Sequence, residues 1–248
     1  MTSILSFLCV YCITNDKMTT YNIIGDIHGR TNWKELVDKT YINIFVGDFF
    51  DPYTWIPYAD LRRNFLEIIA FKHKFPDNVI LLYGNHDYEY LPGIFEESNR
   101  YDALNARKIT KLLTDNASSF YGVAYAIGER YLVTHAGLTR PWVMKYIPEA
   151  VDFLPSKMEE AVNTLWLNDK LAFGFSGNGD FGDYNGESIG HSPLWVRPTS
   201  FGKANVYSQT DVIQVVGHTK VKTITETDNA IFVDCLGVST ESKKISLD

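Results

Sequence analysis

Five apolar runs in this chain each stop at a glycine or a turn and pass straight into side chains that can bind a metal ion: YNII-GDIHG, INIFV-GDFFD, VILLY-GNHD, RYLVT-HAG and VIQVV-GHT. Short runs rich in Val, Ile, Leu and aromatics, closed by Gly, Asp or Asn, read as buried strands ending in turns. Strands of an open α/β sheet carry the residues after them to the carboxyl edge, where ligands gather. Asp26, His28, Asp48, Asn85, His135 and His218 are therefore expected to converge although the chain separates them widely. One such motif alone would be ordinary turn chemistry. The set is not, because His28, His86, His135 and His218, four of the six histidines, all fall inside the five motifs. Carboxylate and amide oxygens are hard donors and imidazole is borderline, a mixture that suits two divalent transition ions side by side and hence metal-assisted hydrolysis.

Taken in order, GDIHG, GDFFD, GNHD, HAG and GHT resemble the calcineurin-like metallophosphoesterases, over residues 21 to about 219. Many phosphodiesterases and nucleases of that superfamily end in GH-x-H; this chain reads GHTK, with Lys220 at the place of the second histidine. The single terminal histidine, HAGL at 135–138 and LWVRP at 194–198 resemble the phosphoprotein phosphatase branch, especially its bacterial and phage-type members, and the related dinucleoside tetraphosphatases. The fold implied is a four-layer α/β/β/α sandwich, two mixed sheets flanked by helices with the metals at one edge. Periodicity by itself shows only an α/β domain that ends in antiparallel strands.

The resemblance also implies roles. Asp26 and His28 would hold the first metal, Asn85, His135 and His218 the second, and Asp48 would bridge them, its charge offsetting the repulsion of two cations. Manganese is the first choice, with iron or zinc fitting the same ligands. A water shared by the ions would attack phosphorus in line, and His86 would protonate the leaving oxygen. Asp51 matches the acidic partner that orients this histidine, and its charge is expected to raise the His86 pKa and keep the ring protonated. The family's second motif commonly runs GD-x-x-D-R, the arginine contacting substrate phosphate, but here Pro52 stands in that place. Arg197 in LWVRP matches the other phosphate-binding arginine. Arg30 offers a second cation to which no family role carries over. The function implied is a phosphomonoesterase resembling serine/threonine protein phosphatases, acting on a phosphoprotein or small phosphoester. A dinucleoside polyphosphate or nucleotide hydrolase, and a non-catalytic metal- and phosphate-binding scaffold, are the alternatives.

A chain of 248 residues buries roughly 70–75% of its unfolded surface, enough for one catalytic domain without disulfide staples. Cys9, Cys12 and Cys235 form no disulfide framework, which favours a reducing, cytoplasmic setting. A net charge of −7 gives no general attraction for a long nucleic-acid backbone. Residues 4–13, ILSFLCVYCI, are apolar but too short to span a bilayer and lack a preceding basic residue. Residues 1–17 are thus expected to be a leader or a docked extension, with the catalytic domain over 18–248 and no membrane partner. The sequence does not choose an oligomeric state.

Between the motifs the pattern alternates with helices. Asn32 and Glu35 read as a capping box for a short helix; a second helix follows Asp60 with Leu61, Phe65, Ile68 and Ile69 inward; Ser156 and Glu159 read as caps of a third, with Val162, Leu165 and Trp166 inward. Residues 172–191 carry six glycines and read as a long loop, either a lid over the metals or a solvated crossover, with His191 its most interesting residue. Tyr88 to Asp102 reads as an insertion near the site.

Overall fold

The computed structural model describes residues 18–175 and 188–247, so the 1–17 segment and residues 176–187 of the glycine-rich stretch lie outside the described residues. In chain order the elements are β1 (Thr19–Ile24), β2 (Ile42–Phe45), α1 (Tyr58–Lys74), β3 (Val79–Leu81), α2 (Asn85–Tyr88), α3 (Ala106–Asp115), β4 (Ala124–Ile127), β5 (Tyr131–Thr134), α4 (Arg140–Tyr146), α5 (Pro155–Asn168), α6 (Pro198–Ala204), β6 (Ile213–Val216), β7 (Thr225–Glu226), β8 (Ala230–Phe232) and β9 (Lys243–Leu247). They build two mixed sheets, ordered β3-β2-β1-β9 and β4-β5-β6-β8-β7. Each of the five apolar runs supplies one of the parallel strands: β1, β2 and β3 in the first sheet, β5 and β6 in the second.

Alternation along the strands sorts the core into three layers. Ile23, Ile44 and Ile80 face Val133, Val215 and Ile231 of the other sheet. Their neighbours Ile24, Phe45 and Leu81 point the opposite way and pack on Phe65 and Ile68 of α1 and on Ile109 and Leu113 of α3. Ala124 and Leu132 of the second sheet meet Trp142 of α4 and Met158, Val162 and Trp166 of α5. The order is helices, sheet, sheet, helices, the four-layer sandwich expected. Strands covered on both faces must be apolar on both, which is why the runs read as continuous rather than alternating.

Local details depart from expectation where a side chain finds a distant partner. Asn32–Glu35 is one 3-10 turn with no side-chain cap, because the Asn32 amide donates instead to Leu236 O and to Thr240 Oγ1, both at 3.1 Å. Helix α1 starts at Tyr58, before Asp60, and buries Leu61, Phe65, Ile68 and Ile69. Helix α5 opens on Pro155 without a side-chain cap. Ser156 is tied to Glu129, and Glu159 accepts from Ala126 N at 2.5 Å. Val162 and Trp166 are buried as expected, while Leu165 is only partly so. No helix among the described residues is long and apolar enough to cross a membrane.

Candidate metal centre and active site

The loops that leave β1, β2, β3, β5 and β6 meet at one edge of the sandwich and are sewn together by their backbones. His28 N donates to Asp48 O at 2.6 Å and Gly217 N to His135 O at 2.8 Å. The buried Asp87 carboxylate accepts from the amides of Asp48 (2.7 Å), Phe49 (2.9 Å) and Gly84 (3.0 Å), locking the β2 and β3 loops to each other. Two motif glycines are required by this closeness. Gly47 has φ +105°, and a Cβ on it would stand 2.2 Å from Gly84 N; one on Gly84 would stand 2.2 Å from Asp48 Oδ1. His28, Asp48, Asp51 and His218 also adopt positive φ, at 43°, 55°, 54° and 63°. Such conformations cost energy in non-glycine residues and persist where the surroundings over-determine them, most often at functional sites.

All six expected ligands are buried here. Asp26, Asp48 and His135 bring one ligand atom each within 4.8 Å of one another. The imidazoles decide whether a cation fits. His28 donates from Nδ1 to Phe50 O at 2.7 Å, His135 from Nδ1 to Val46 O at 2.8 Å, and His218 from Nε2 to Trp195 O at 3.1 Å. Each remaining ring nitrogen therefore carries a lone pair. His28 Nε2 faces Asp48 Oδ2 at 3.3 Å and has no hydrogen-bond partner among the described residues. His135 Nε2 and His218 Nδ1 each face Asn85 Oδ1 at 2.9 Å. Acceptors aimed at acceptors repel unless a proton or a metal lies between them, and burial first of all opposes the proton. It lowers His28 and His218 well below the ordinary imidazole value and pushes His135 down to about 3. Burial also lifts Asp26 and Asp48 well above the usual carboxylate range, helped by Asp234 beside Asp26 and by Asp26 beside Asp48. A donor set whose histidines are fixed by carbonyls at the far nitrogen, and whose buried carboxylates form no ion pair with an arginine or lysine among the described residues, fits divalent ions.

Beside this cluster His86 and Asp51 form a pair, His86 Nδ1 donating to Asp51 Oδ2 at 2.9 Å while Tyr90 OH holds the other carboxylate oxygen. The pairing is as expected but the protonation is not. His86 is lowered, because burial outweighs the hydrogen bond to Asp51 and the Arg100 guanidinium pushes the same way. Arg100 donates to His86 Nε2 at 2.7 Å, so that nitrogen is an acceptor in this state.

The pair opens on a cavity of about 560 Å³ lined by Asp48, Asn85 and His218, by Arg100 and Arg197, and by Glu89, Glu96 and Glu97. Arg197 stands just before α6 and donates to Thr219 Oγ1 at 3.3 Å. Arg30 turns back to donate to Asp26 O at 3.0 Å and does not line the cavity. Part of the Tyr88–Asp102 segment does. Phe175 and His191, flanking the segment outside the described residues, stack at 4.6 Å.

The family description "Calcineurin-like phosphoesterase" matches residues 20–222, most of the chain. The chain belongs to the calcineurin-like phosphoesterase family. It is 29% identical over 175 residues to the serine/threonine-protein phosphatase PP1-delta of Caenorhabditis elegans, covering 63% of this chain and 52% of that protein. It is 27% identical over 149 residues to serine/threonine-protein phosphatase 7 of Arabidopsis thaliana, covering 55% and 34%. The chain thus spans about half or less of the curated relatives it matches. Among solved structures, the cold-active protein-tyrosine phosphatase of a Shewanella species superposes with TM-score 0.53 at 17% identity, over 88% of this chain and 72% of that one. A serine/threonine phosphatase of Saccharomyces cerevisiae gives TM-score 0.53 at 17% identity, over 87% and 66%. At these identities the likeness is one of fold.

Within the calcineurin-like fold several residues of this site escape a reading of motifs. Asp87 lies inside GNHD but acts on three backbone amides that come together only in space. Glu89 is buried, lifted by burial to about 8, and accepts from Ser98 Oγ at 3.0 Å. Arg100 sits in the segment between α2 and α3, where no spacing marks it.

Proposed function

We propose that this chain is a dinuclear-metal phosphomonoesterase of the serine/threonine phosphatase type. The observation that carries the reading is the set of three buried imidazoles, each pinned by a carbonyl and aiming its lone pair at Asp48 or Asn85, beside the His86–Asp51 pair. Asp26, His28 and Asp48 would hold one ion and Asp48, Asn85, His135 and His218 the other, with manganese the first choice for assay. Bound there, the ions would supply Lewis acidity toward a phosphoryl oxygen and toward the attacking water. Arg197 would bind the non-bridging phosphoryl oxygens, and Asn85, fixed at the start of α2, would help orient them. His86 would deliver a proton from Nε2 to the leaving oxygen, with Asp51 holding the ring by Nδ1. For that the Arg100 contact at Nε2 must break, which an arriving phosphoryl group accomplishes by offering the guanidinium a better acceptor.

Glu96 and Glu97 on the cavity wall disfavour a second and third phosphate and suit a phosphorylated side chain with a cation nearby. The test is turnover of a phosphoserine peptide against diadenosine tetraphosphate with manganese present. The expected result is preference for the peptide. Preference for the dinucleotide makes the protein a nucleotide hydrolase, and turnover of neither leaves a metal-binding scaffold.

A further inference from the structure

Arg100 lines the cavity from the segment between α2 and α3, and no motif assigns it a task. Its Nη1 donates to Asp51 O at 2.8 Å, its Nη2 donates to His86 Nε2 at 2.7 Å, and its guanidinium lies 3.8 Å from the centroid of the Tyr53 ring. Every one of these supports is uncharged: a carbonyl oxygen, an imidazole lone pair and a ring face. Among the described residues the ion pairs of arginine and lysine side chains involve others, namely Lys34, Arg63, Lys111, Arg140 and Lys243. A planar, always-charged fork whose direct contacts are all neutral acceptors is not committed to an ion pair, and an oxyanion accepts more strongly than any of the three. Of its five N–H groups two are engaged by these bonds, which leaves others for a ligand.

The fork is also held in position. Tyr101, next in the chain, stacks on Tyr90 with ring centroids 4.7 Å apart, and Tyr90 in turn donates to Asp51 and accepts from Asp102 N. Arg100 is thereby fixed to the residue pair that flanks the metal-type cluster. The carbonyl it grips belongs to the Asp51–Pro52 peptide, the point in the chain where the family's second motif commonly places an arginine and this sequence does not.

We propose that Arg100 is the second anion-binding arm of the cavity, gripping phosphoryl oxygens together with Arg197 and supplying from the segment between α2 and α3 the charge that Pro52 cannot. This rests on the phosphoesterase reading. Once phosphate is bound, the Nη2 contact now made to His86 passes to a phosphoryl oxygen, while the Asp51 carbonyl and Tyr53 keep the fork in place. Arg100 then sets affinity for the phosphoryl group whatever ester carries it, and recruiting it from there couples phosphate binding to the segment that also presents Glu96 and Glu97.

Calorimetric titration of the manganese-loaded full chain with inorganic phosphate, alongside KM and kcat for a phosphoserine peptide, tests this. Arg100→Ala is expected to weaken phosphate about tenfold to a hundredfold and to raise KM in the same proportion, the scale of one charge-assisted contact. Arg100→Lys keeps the charge and the packing against Tyr53 but loses the fork, so it should fall between; it also serves if the alanine variant does not fold. Phosphate affinity within about twofold of wild type in Arg100→Lys and Arg100→Ala, with Arg197→Ala weakened, overturns the proposal. A wild type that binds phosphate but cleaves no ester defeats the catalytic reading while the affinities still decide for or against Arg100. A wild type that binds no phosphate defeats both.

Discussion

Replacing His86 with asparagine is expected to slow hydrolysis of phosphoserine by roughly a hundredfold to ten-thousandfold, the range for loss of a positioned general acid. The serine alkoxide is a poor leaving group and needs its proton as the bond breaks. An aryl phosphate should lose far less, since its phenolate leaves without full protonation. The ratio of the two losses separates acid catalysis from damage to the metal cluster, a separation that matters because His86 N also donates to Asp48 Oδ1 at 2.8 Å. Asparagine keeps that backbone bond. Asp51→Asn should show the same asymmetry more mildly, because it removes the charge that favours imidazolium against burial and Arg100 without deleting the ring. Equal losses on both esters, with the ions still bound, would leave His86 as a binding or structural residue.

Arg197→Ala is expected to cost about a hundredfold to a thousandfold in kcat/KM, the scale of removing one oxyanion donor from a preorganised site. Arg197 lines the cavity beside His218 and Asn85, and among the described residues its hydrogen bond is the 3.3 Å one to Thr219 Oγ1, so the head group has donors to offer a ligand. Arg30 is turned toward Asp26 O and does not line the cavity. Arg100 can carry part of the charge, which is why the loss should be large rather than total. A loss below about threefold at saturating metal would place Arg197 outside the reacting geometry.

That the expected ligand residues gather at one edge is legible from sequence because each comes after a strand, and a parallel strand fixes where its carboxyl end goes. Asp26, Asp48, Asn85, His135 and His218 each stand within two residues of a glycine or a strand end, so topology alone carries them to one edge. Features that escape the sequence depend on contacts between distant segments. Asn32 has the spacing of a cap and instead bonds Leu236 O, 204 residues on. Ser156 and Glu159 have the spacing of a capping pair and instead tie α5 to Glu129 and to β4. A raised His86 pKa is the natural expectation because Asp51 is visible in the sequence; burial and Arg100, which drive it down, are not. Arg100 lies in a segment with neither helical nor strand periodicity, so only the folded chain brings it to the Asp51 carbonyl.

Metal content tests the dinuclear centre most directly. Elemental analysis of the purified protein at saturating manganese is predicted to give two transition ions per chain, with His218→Ala losing one and Asp48→Asn weakening both, since Asp48 would be the shared ligand. A single ion in the native protein, with His218→Ala making no difference, would contradict it.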